Sequence, residues 1–433
     1  MIERYTTPEM NDLWSEDNKF KIWQKVEIAV CKAWNKLDKI PSEDLKRIEA
    51  STSIDPKRVY EIDAQVHHDV IAFLTAWNEQ ESLQSSGRFI HLGLTSSDLI
   101  DTALSLMLSE TSQVLLTALD KLLETSKKLA YEHKNTLTIG RTHGVHGEPS
   151  TFGLKIANFY ADLQRAKEKL KWASEAIRVG MFSGPVGTYS NLNPQVEQLA
   201  CQELGLQVVS ISTQVISRER HADFVYALAS LGSIIEKIAT ELRHLQRTEV
   251  LEVEEPFYSG QKGSSSMPHK RNPWRSENLC GLARMLRGYI ITALENIALW
   301  HERDISHSST ERIYFPDMAN LAHFMILRLT AILADLRVYP ENMKKNLFLF
   351  GGVVHSQKVL INLVEKGMSR EDAYKIVQNN AHKAWNKESG DFKRELKQDP
   401  EVQKLFSEQE INQSFEIESD LKYVDEVFER VFS

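Results

Sequence analysis

The stretch Phe152-Gly-Leu-Lys-Ile-Ala-Asn-Phe-Tyr-Ala-Asp-Leu-Gln-Arg-Ala-Lys-Glu-Lys-Leu-Lys-Trp-Ala-Ser-Glu-Ala-Ile177 decides the fold. Two apolar sets interleave in it at seven-residue spacing, Phe152, Phe159, Ala166, Ala173 and Ile156, Leu163, Leu170, Ile177. A repeat of that length sets both on one side of a helix and draws a seam along about seven turns. Upstream, Leu108, Leu115, Leu122 and Leu129 form a similar stripe. Downstream, Phe224, Leu231, Ile238 and Leu245 alternate with Leu228, Ile235 and Leu242. Leu279, Leu286 and Ala293 with Ile290 and Ile297 predict a fourth helix, and Met318, Leu321, Met325, Leu329 and Ile332 a fifth. Helices this long bury such stripes only in a bundle, and apolar residues on more than one face predict packing between copies of the chain. The expected fold class is therefore all-α. Glycine-rich breaks divide it into an N-terminal helical domain (1–94), a central long-helix bundle (95–345) and a C-terminal helical domain (346–433).

Composition agrees with long helices. Glycine (19) and proline (12) together make up about 7% of the 433 residues, against about 12% in average proteins. These residues punctuate helices, and their scarcity disfavours a strand-and-turn architecture. A formal charge of −8 argues against a dedicated nucleic-acid binder, yet leaves room for a local cationic pocket for a small anion. Cys31, Cys201 and Cys280 are odd in number and far apart, which suits neither a disulfide framework nor a zinc cluster and points to a reducing compartment. Met1-Ile-Glu-Arg-Tyr5 has no apolar signal core, and no later run reaches about 18 uncharged apolar residues. A soluble cytoplasmic protein without membrane or nucleic-acid partners is expected.

Three polar segments could carry chemistry. Ser259-Gly-Gln-Lys-Gly-Ser-Ser-Ser-Met-Pro-His-Lys-Arg-Asn-Pro273 joins two helical patterns. Its glycines and serines offer N–H and hydroxyl donors, and Lys262, Lys270 and Arg271 add positive charge. Such a loop suits closing over an anion, while its bland alternative is a flexible basic linker. Gly140-Arg-Thr-His-Gly-Val-His-Gly147 places two histidines three apart. Without a third ligand at a familiar spacing a metal is not expected there; one imidazole could move a proton, or simply cap a helix. His91-Leu-Gly-Leu-Thr-Ser-Ser-Asp98 reads as a capping cluster or as a carboxylate grip at a helix start. His67-His68-Asp69 is weaker, since paired histidines on an amphipathic helix are commonly surface residues.

Gly263-Ser-Ser-Ser-Met-Pro-His-Lys-Arg-Asn-Pro273 resembles the signature of the fumarase/aspartase superfamily. Thr95-Ser-Ser-Asp98 and Thr142-His143-Gly144 resemble its two other conserved regions, in the same order. The resemblance spans essentially the whole chain. Met267 to Pro273, Arg141 to His146 and Trp300 to Arg312 are similar to the adenylosuccinate lyase branch. Ser266 departs from the alanine or threonine frequent there, and Trp274-Arg275 falls on a variable pair.

The resemblance implies a homotetramer with active sites shared between subunits, no cofactor, no metal, and elimination of fumarate from an aminosuccinyl nucleotide. It assigns Ser264 as general base and His143 as general acid, with Glu277 orienting and charging His143. Lys270 and Asn272 would hold the substrate carboxylates, and His91 and His68 would line the site, His68 nearer the phosphate. Thr95, Ser96 and Gln214 would contact the succinyl part. Arg4, Tyr5, Arg303, Ser308 and Arg312 would take the nucleotide end, where guanidinium groups give forked, charge-assisted hydrogen bonds to phosphate. Arg303 and Arg312 as ordinary ion-pair partners of Glu302 or Glu311 are the alternative. For the whole chain the alternatives are a sibling lyase acting on argininosuccinate, malate or aspartate, and a catalytically silent helical scaffold.

Overall fold

A computed structural model describes residues 1–386 and 390–433. The fold is all-α. The five longest helices among the described residues are Ser96–Glu132, Phe152–Ile177, Glu219–Leu245, Trp274–Glu295 and Ser306–Ala334. They coincide with the five apolar stripes, and nearly every stripe residue is buried, from Leu108, Leu115 and Leu122 to Met318, Met325 and Ile332. Each buried leucine or isoleucine contributes about 1.5–3 kcal/mol relative to exposure. Two positions differ. Ile290 is only partly buried, and Ile297 is exposed because its helix stops at Glu295. The outer side of that helix shows Met285, Ile291 and Leu294 to solvent.

The chain forms two compact units, each discontinuous in sequence. The first comprises Met1–Lys121, Leu163–Glu236 and Asn278–Arg328; the second comprises Leu122–Asp162, Lys237–Glu277 and Leu329–Ser433. In the first, the helix Glu16–Lys36 begins at a Ser15 cap and buries Phe20, Trp23, Val26 and Val30 in an aromatic-rich core with Phe73 and Trp77. In the second, the shorter C-terminal helices enclose Leu363, Val377, Phe392 and Leu396. Ser306–Ala334 is long and apolar enough by length and composition to cross a membrane, but most of its apolar window is buried inside the protein.

The Gly140–Gly147 segment, with its two histidines three apart, is part of a β-hairpin rather than the cap of a helix. Strand β1, Leu137–Thr142, pairs antiparallel with β2, Val145–Thr151, and Thr142 opposes Val145. The two residues between them, His143 and Gly144, both have left-handed backbones, with φ of 55° and 77°. Two successive positive φ values define the tight turn whose twist matches paired strands, and histidine is among the few side chains that tolerate the first position.

Candidate active site

In the second unit, His143 stands at the hairpin apex and is exposed. The hairpin is fixed from below. Arg141 donates to the fully buried Glu252 at 3.1 Å with a second contact alongside, and Asn346 donates to the same carboxylate at 2.8 Å. Glu252 opens an acidic run, Glu252-Val-Glu-Glu255, whose other two carboxylates hold the signature segment. Glu254 accepts from Arg271 at 3.2 Å and from the Tyr339 hydroxyl at 2.6 Å. Glu255 accepts the backbone N–H groups of Arg275 and Ser276, at 3.2 and 2.6 Å, where the next helix begins. Burial outweighs these N–H donors and pushes the Glu255 carboxyl above its ordinary range. Gln246 completes the clamp by accepting from the Glu255 backbone and donating to the Arg271 carbonyl.

The signature segment is thus held at its C-terminal end and folds back on itself. Asn272 donates to the Gly263 carbonyl at 3.1 Å, and Gly263 lies so close to the Lys270 backbone that a Cβ there would fall 1.9 Å from its carbonyl oxygen. The half-buried Ser264 Oγ accepts the N–H groups of Ser266 and Met267, at 3.3 and 3.2 Å. Lys270, Asn272 and Glu277 line one cavity of about 850 Å³, which Arg243, Arg247 and Arg271 make predominantly cationic. Among the described residues, the side chains of His143, Lys270 and Glu277 have no hydrogen-bond or ion-pair partner within the chain. His143 and Glu277 therefore do not pair within one subunit.

The first unit carries the remaining candidates. Thr95 precedes the Ser96–Glu132 helix, and the buried Asp98 accepts the Thr95 N–H at 2.8 Å, one half of a capping box. Its other oxygen accepts from Ser183 and Gly184. Burial outweighs these bonds and pushes the Asp98 carboxyl up to about 6. His91, with φ of 65°, donates its backbone N–H to Glu27 and brings its ring Nδ1 within 2.6 Å of the same carboxylate.

Arg303 donates to Gln214 at 3.0 Å, joining one succinyl candidate to one nucleotide candidate. Arg312 pairs with Asp69 and donates to Ser308, and these three line one cleft of about 290 Å³. The neighbouring His68 is exposed and caps the Asp69–Asn78 helix, accepting the Ile71 N–H at 3.3 Å. Tyr5 accepts from Asn278 at 3.2 Å and meets Phe324 edge-on, while Arg4 is exposed. The ion-pair partners are neither Glu302 for Arg303 nor Glu311 for Arg312. Glu311 instead binds Arg218, which is buried between Glu311 and Asp101.

Glu27, Arg218 and the 252–255 run escaped the sequence reading. The available signal was the Glu-Val-Glu-Glu run without helical periodicity, since carboxylates in an apolar context are held only when paired.

Residues 3–288 match the family described as lyase, which is the class of protein this chain falls in. Residues 352–431 match the family described as adenylosuccinate lyase C-terminus. The adenylosuccinate lyase of Synechocystis sp. is 52% identical over 431 residues, covering all of both chains. That of Aquifex aeolicus is 51% identical over 435 residues, covering 100% of this chain and 99% of its own. The crystal structure of a fumarate lyase from Mesorhizobium sp. BNC1 shares the fold with a TM-score of 0.90 at 24% identity, covering 100% of this chain and 99% of that one. The chain belongs to the adenylosuccinate lyase family.

Proposed function

We propose that the chain catalyses β-elimination of fumarate from adenylosuccinate to give AMP, and the equivalent cleavage of the succinylaminoimidazole carboxamide ribotide of purine synthesis. The reading is carried by full-length identity of about one half to relatives named adenylosuccinate lyase, in a chain that keeps Ser264, His143, Lys270 and Glu277. Ser264 removes the proton from the carbon beside a substrate carboxylate. That electron pair becomes the fumarate double bond, the neighbouring C–N bond breaks, and His143 protonates the departing nitrogen. No cofactor takes part. Two backbone N–H groups on Ser264 Oγ favour its anionic form. Lys270 and Asn272 stabilise charge developing on the carboxylates, the Gln214–Arg303 pair joins the succinyl and nucleotide ends, and Arg312 with Ser308 grips the phosphate.

The active form in this reading is a cytoplasmic homotetramer, with the 95–345 segment as its bundle. The exposed Met285, Ile291 and Leu294 support such an assembly. A partner subunit would supply the Glu277 carboxylate that His143 lacks in its own chain. Incubating the purified protein with adenylosuccinate tests the function: AMP and fumarate must appear in equal amounts, and a folded protein that releases neither refutes it.

A further inference from the structure

The helix Glu16–Lys36 carries three unlike side chains, Glu27, Cys31 and Trp34, four and three residues apart and so on one face. All three bond to one short segment. Cys31 Sγ donates to the Phe89 carbonyl at 3.8 Å, and Trp34 Nε1 donates to the Leu92 carbonyl at 3.1 Å. Between these rungs Glu27 takes two bonds from His91, its backbone N–H at 2.9 Å and its ring Nδ1 at 2.6 Å. The Glu27 side chain is fully buried, whereas 19% of the His91 side chain remains exposed.

His91 has a left-handed backbone, which costs a non-glycine residue free energy unless its surroundings compensate. The Glu27 bond to its N–H does so. The second bond settles the ring, because a carboxylate accepts and Nδ1 must then carry hydrogen. Nε2 is left for a ligand: among the described residues no protein group bonds to it.

We propose that Glu27 is a positioning residue for the site: from inside the core it fixes the backbone and ring of His91 and keeps that imidazole as a cationic Nε2–H donor for an anionic group of the substrate. The proposal rests on the functional reading above and gives His91 an anion-binding task, distinct from the proton transfers of Ser264 and His143. The charged groups facing the ring are Glu27 from its helix and Asp98 from the start of the next. Burial opposes the imidazolium, but the Glu27 hydrogen bond and charge outweigh it, so His91 titrates above its ordinary value. Binding of the anion should therefore weaken as pH rises through that raised value.

The test uses the intact protein and diethyl pyrocarbonate, which modifies only unprotonated imidazole, with peptide mass spectrometry reading each histidine against pH. In the wild type the His91 midpoint must lie above the ordinary histidine value of about 6.5. Glu27→Gln keeps the shape and an acceptor but removes the charge. It should lower the His91 midpoint by about one pH unit, equivalent to roughly tenfold in the protonation equilibrium. KM for adenylosuccinate should rise about tenfold or more, most at high pH, with a smaller change in kcat. A His91 midpoint at or below about 6.5 overturns the proposal without any variant. Unchanged labelling in Glu27→Gln, or wild-type KM across the pH range, overturns it as well. Full activity in His91→Gln removes His91 from the site altogether. An inactive His91→Gln beside a wild-type Glu27→Gln overturns only the role of Glu27.

Discussion

Replacing Arg218 by methionine isolates the largest buried electrostatic commitment in the first unit. The Arg218 side chain is 1% exposed and makes four N–H···O contacts with carboxylates, at 2.6 and 2.9 Å to Asp101 and at 2.9 and 3.2 Å to Glu311. Methionine fills most of the stem volume, so the penalty comes chiefly from two carboxylates that lose their counter-charge. Breaking a buried pair in this way costs about 3–5 kcal/mol. The burden falls unevenly. Burial already pushes the Glu311 carboxyl up to about 7 against the pull of Arg218, so it protonates readily near neutral pH. Asp101 is fully buried and ionised below its ordinary value only because Arg218 outweighs that burial, aided by the Ile216 N–H at 2.8 Å.

Without Arg218 both folded-state pKa values lie above their unfolded values. The variant's penalty must then grow as pH rises, by up to about 1.4 kcal/mol per pH unit for each group that is forced to ionise. For a unit of this size about 1 kcal/mol moves Tm by roughly 2–4 °C, so thermal unfolding followed by circular dichroism at pH 8 should show a drop of roughly 6–20 °C. The drop should be smaller at pH 5.5, where Asp101 and Glu311 can take protons. Adding Asp101→Asn and Glu311→Gln to Arg218→Met should recover much of the loss. A Tm within about 2 °C of wild type at pH 8, or a larger loss at pH 5.5 than at pH 8, would refute the reasoning.

Gly263→Ala should lower turnover by about 10²-fold while leaving Tm nearly unchanged, because the Lys270 backbone must retreat from the new Cβ and takes the reactive loop with it; near-normal turnover would mean that the loop adopts another form in catalysis. Ser264→Ala and His143→Ala should each cost about 10²- to 10⁴-fold in kcat. Mixed after dissociation and reassociation, the two inactive proteins should regain up to roughly a quarter of wild-type activity if each site draws these residues from different subunits, and demonstrable hybrids without activity would place both residues on one chain. Burial, with the Arg218 charge adding to it, depresses His307 to about 4, so its neutral form stabilises the fold fully above the ordinary value near 6.5 and less as pH falls toward 4. His307→Gln should therefore lose less Tm than wild type between pH 7 and 4.5, and an equal or greater loss would contradict this.

The bundle was legible because burial and periodicity are one signal: a residue such as Leu163 or Ile238 is apolar for the reason that makes it recur at helical spacing. Ile297 shows the limit of that signal, since an apolar residue in register predicts a continued stripe whether or not the helix reaches it. The hairpin at Gly140–Gly147 was not legible because glycines interrupt its strands, and Thr138, Ile139 and Val145 are strand formers in a run too short for a period to emerge. Asp101 and Arg218 lie 117 positions apart, and Arg141 and Glu252 lie 111 apart. No local pattern relates such pairs; each is fixed only when long helices bring distant segments together.

That division has a physical reason in the candidate site itself. Carboxylates that act through other groups are buried and fully used, as Glu27, Asp101, Glu252 and Glu255 are, because a buried charge without partners would unfold the region that contains it. Groups that must meet a substrate cannot be satisfied in advance, and His143, Lys270 and Glu277 are exposed with no partner in their own chain. The tight turn under His143 and the clamp under Lys270 supply the order those side chains do not obtain from contacts of their own. In the proposed mechanism motif spelling therefore points to the residues that act, since a turn or a loop must carry them in a short stretch of sequence. The residues that hold them are visible only in three dimensions, and changing a holder such as Glu252 should disturb the hairpin before it alters any group that touches substrate.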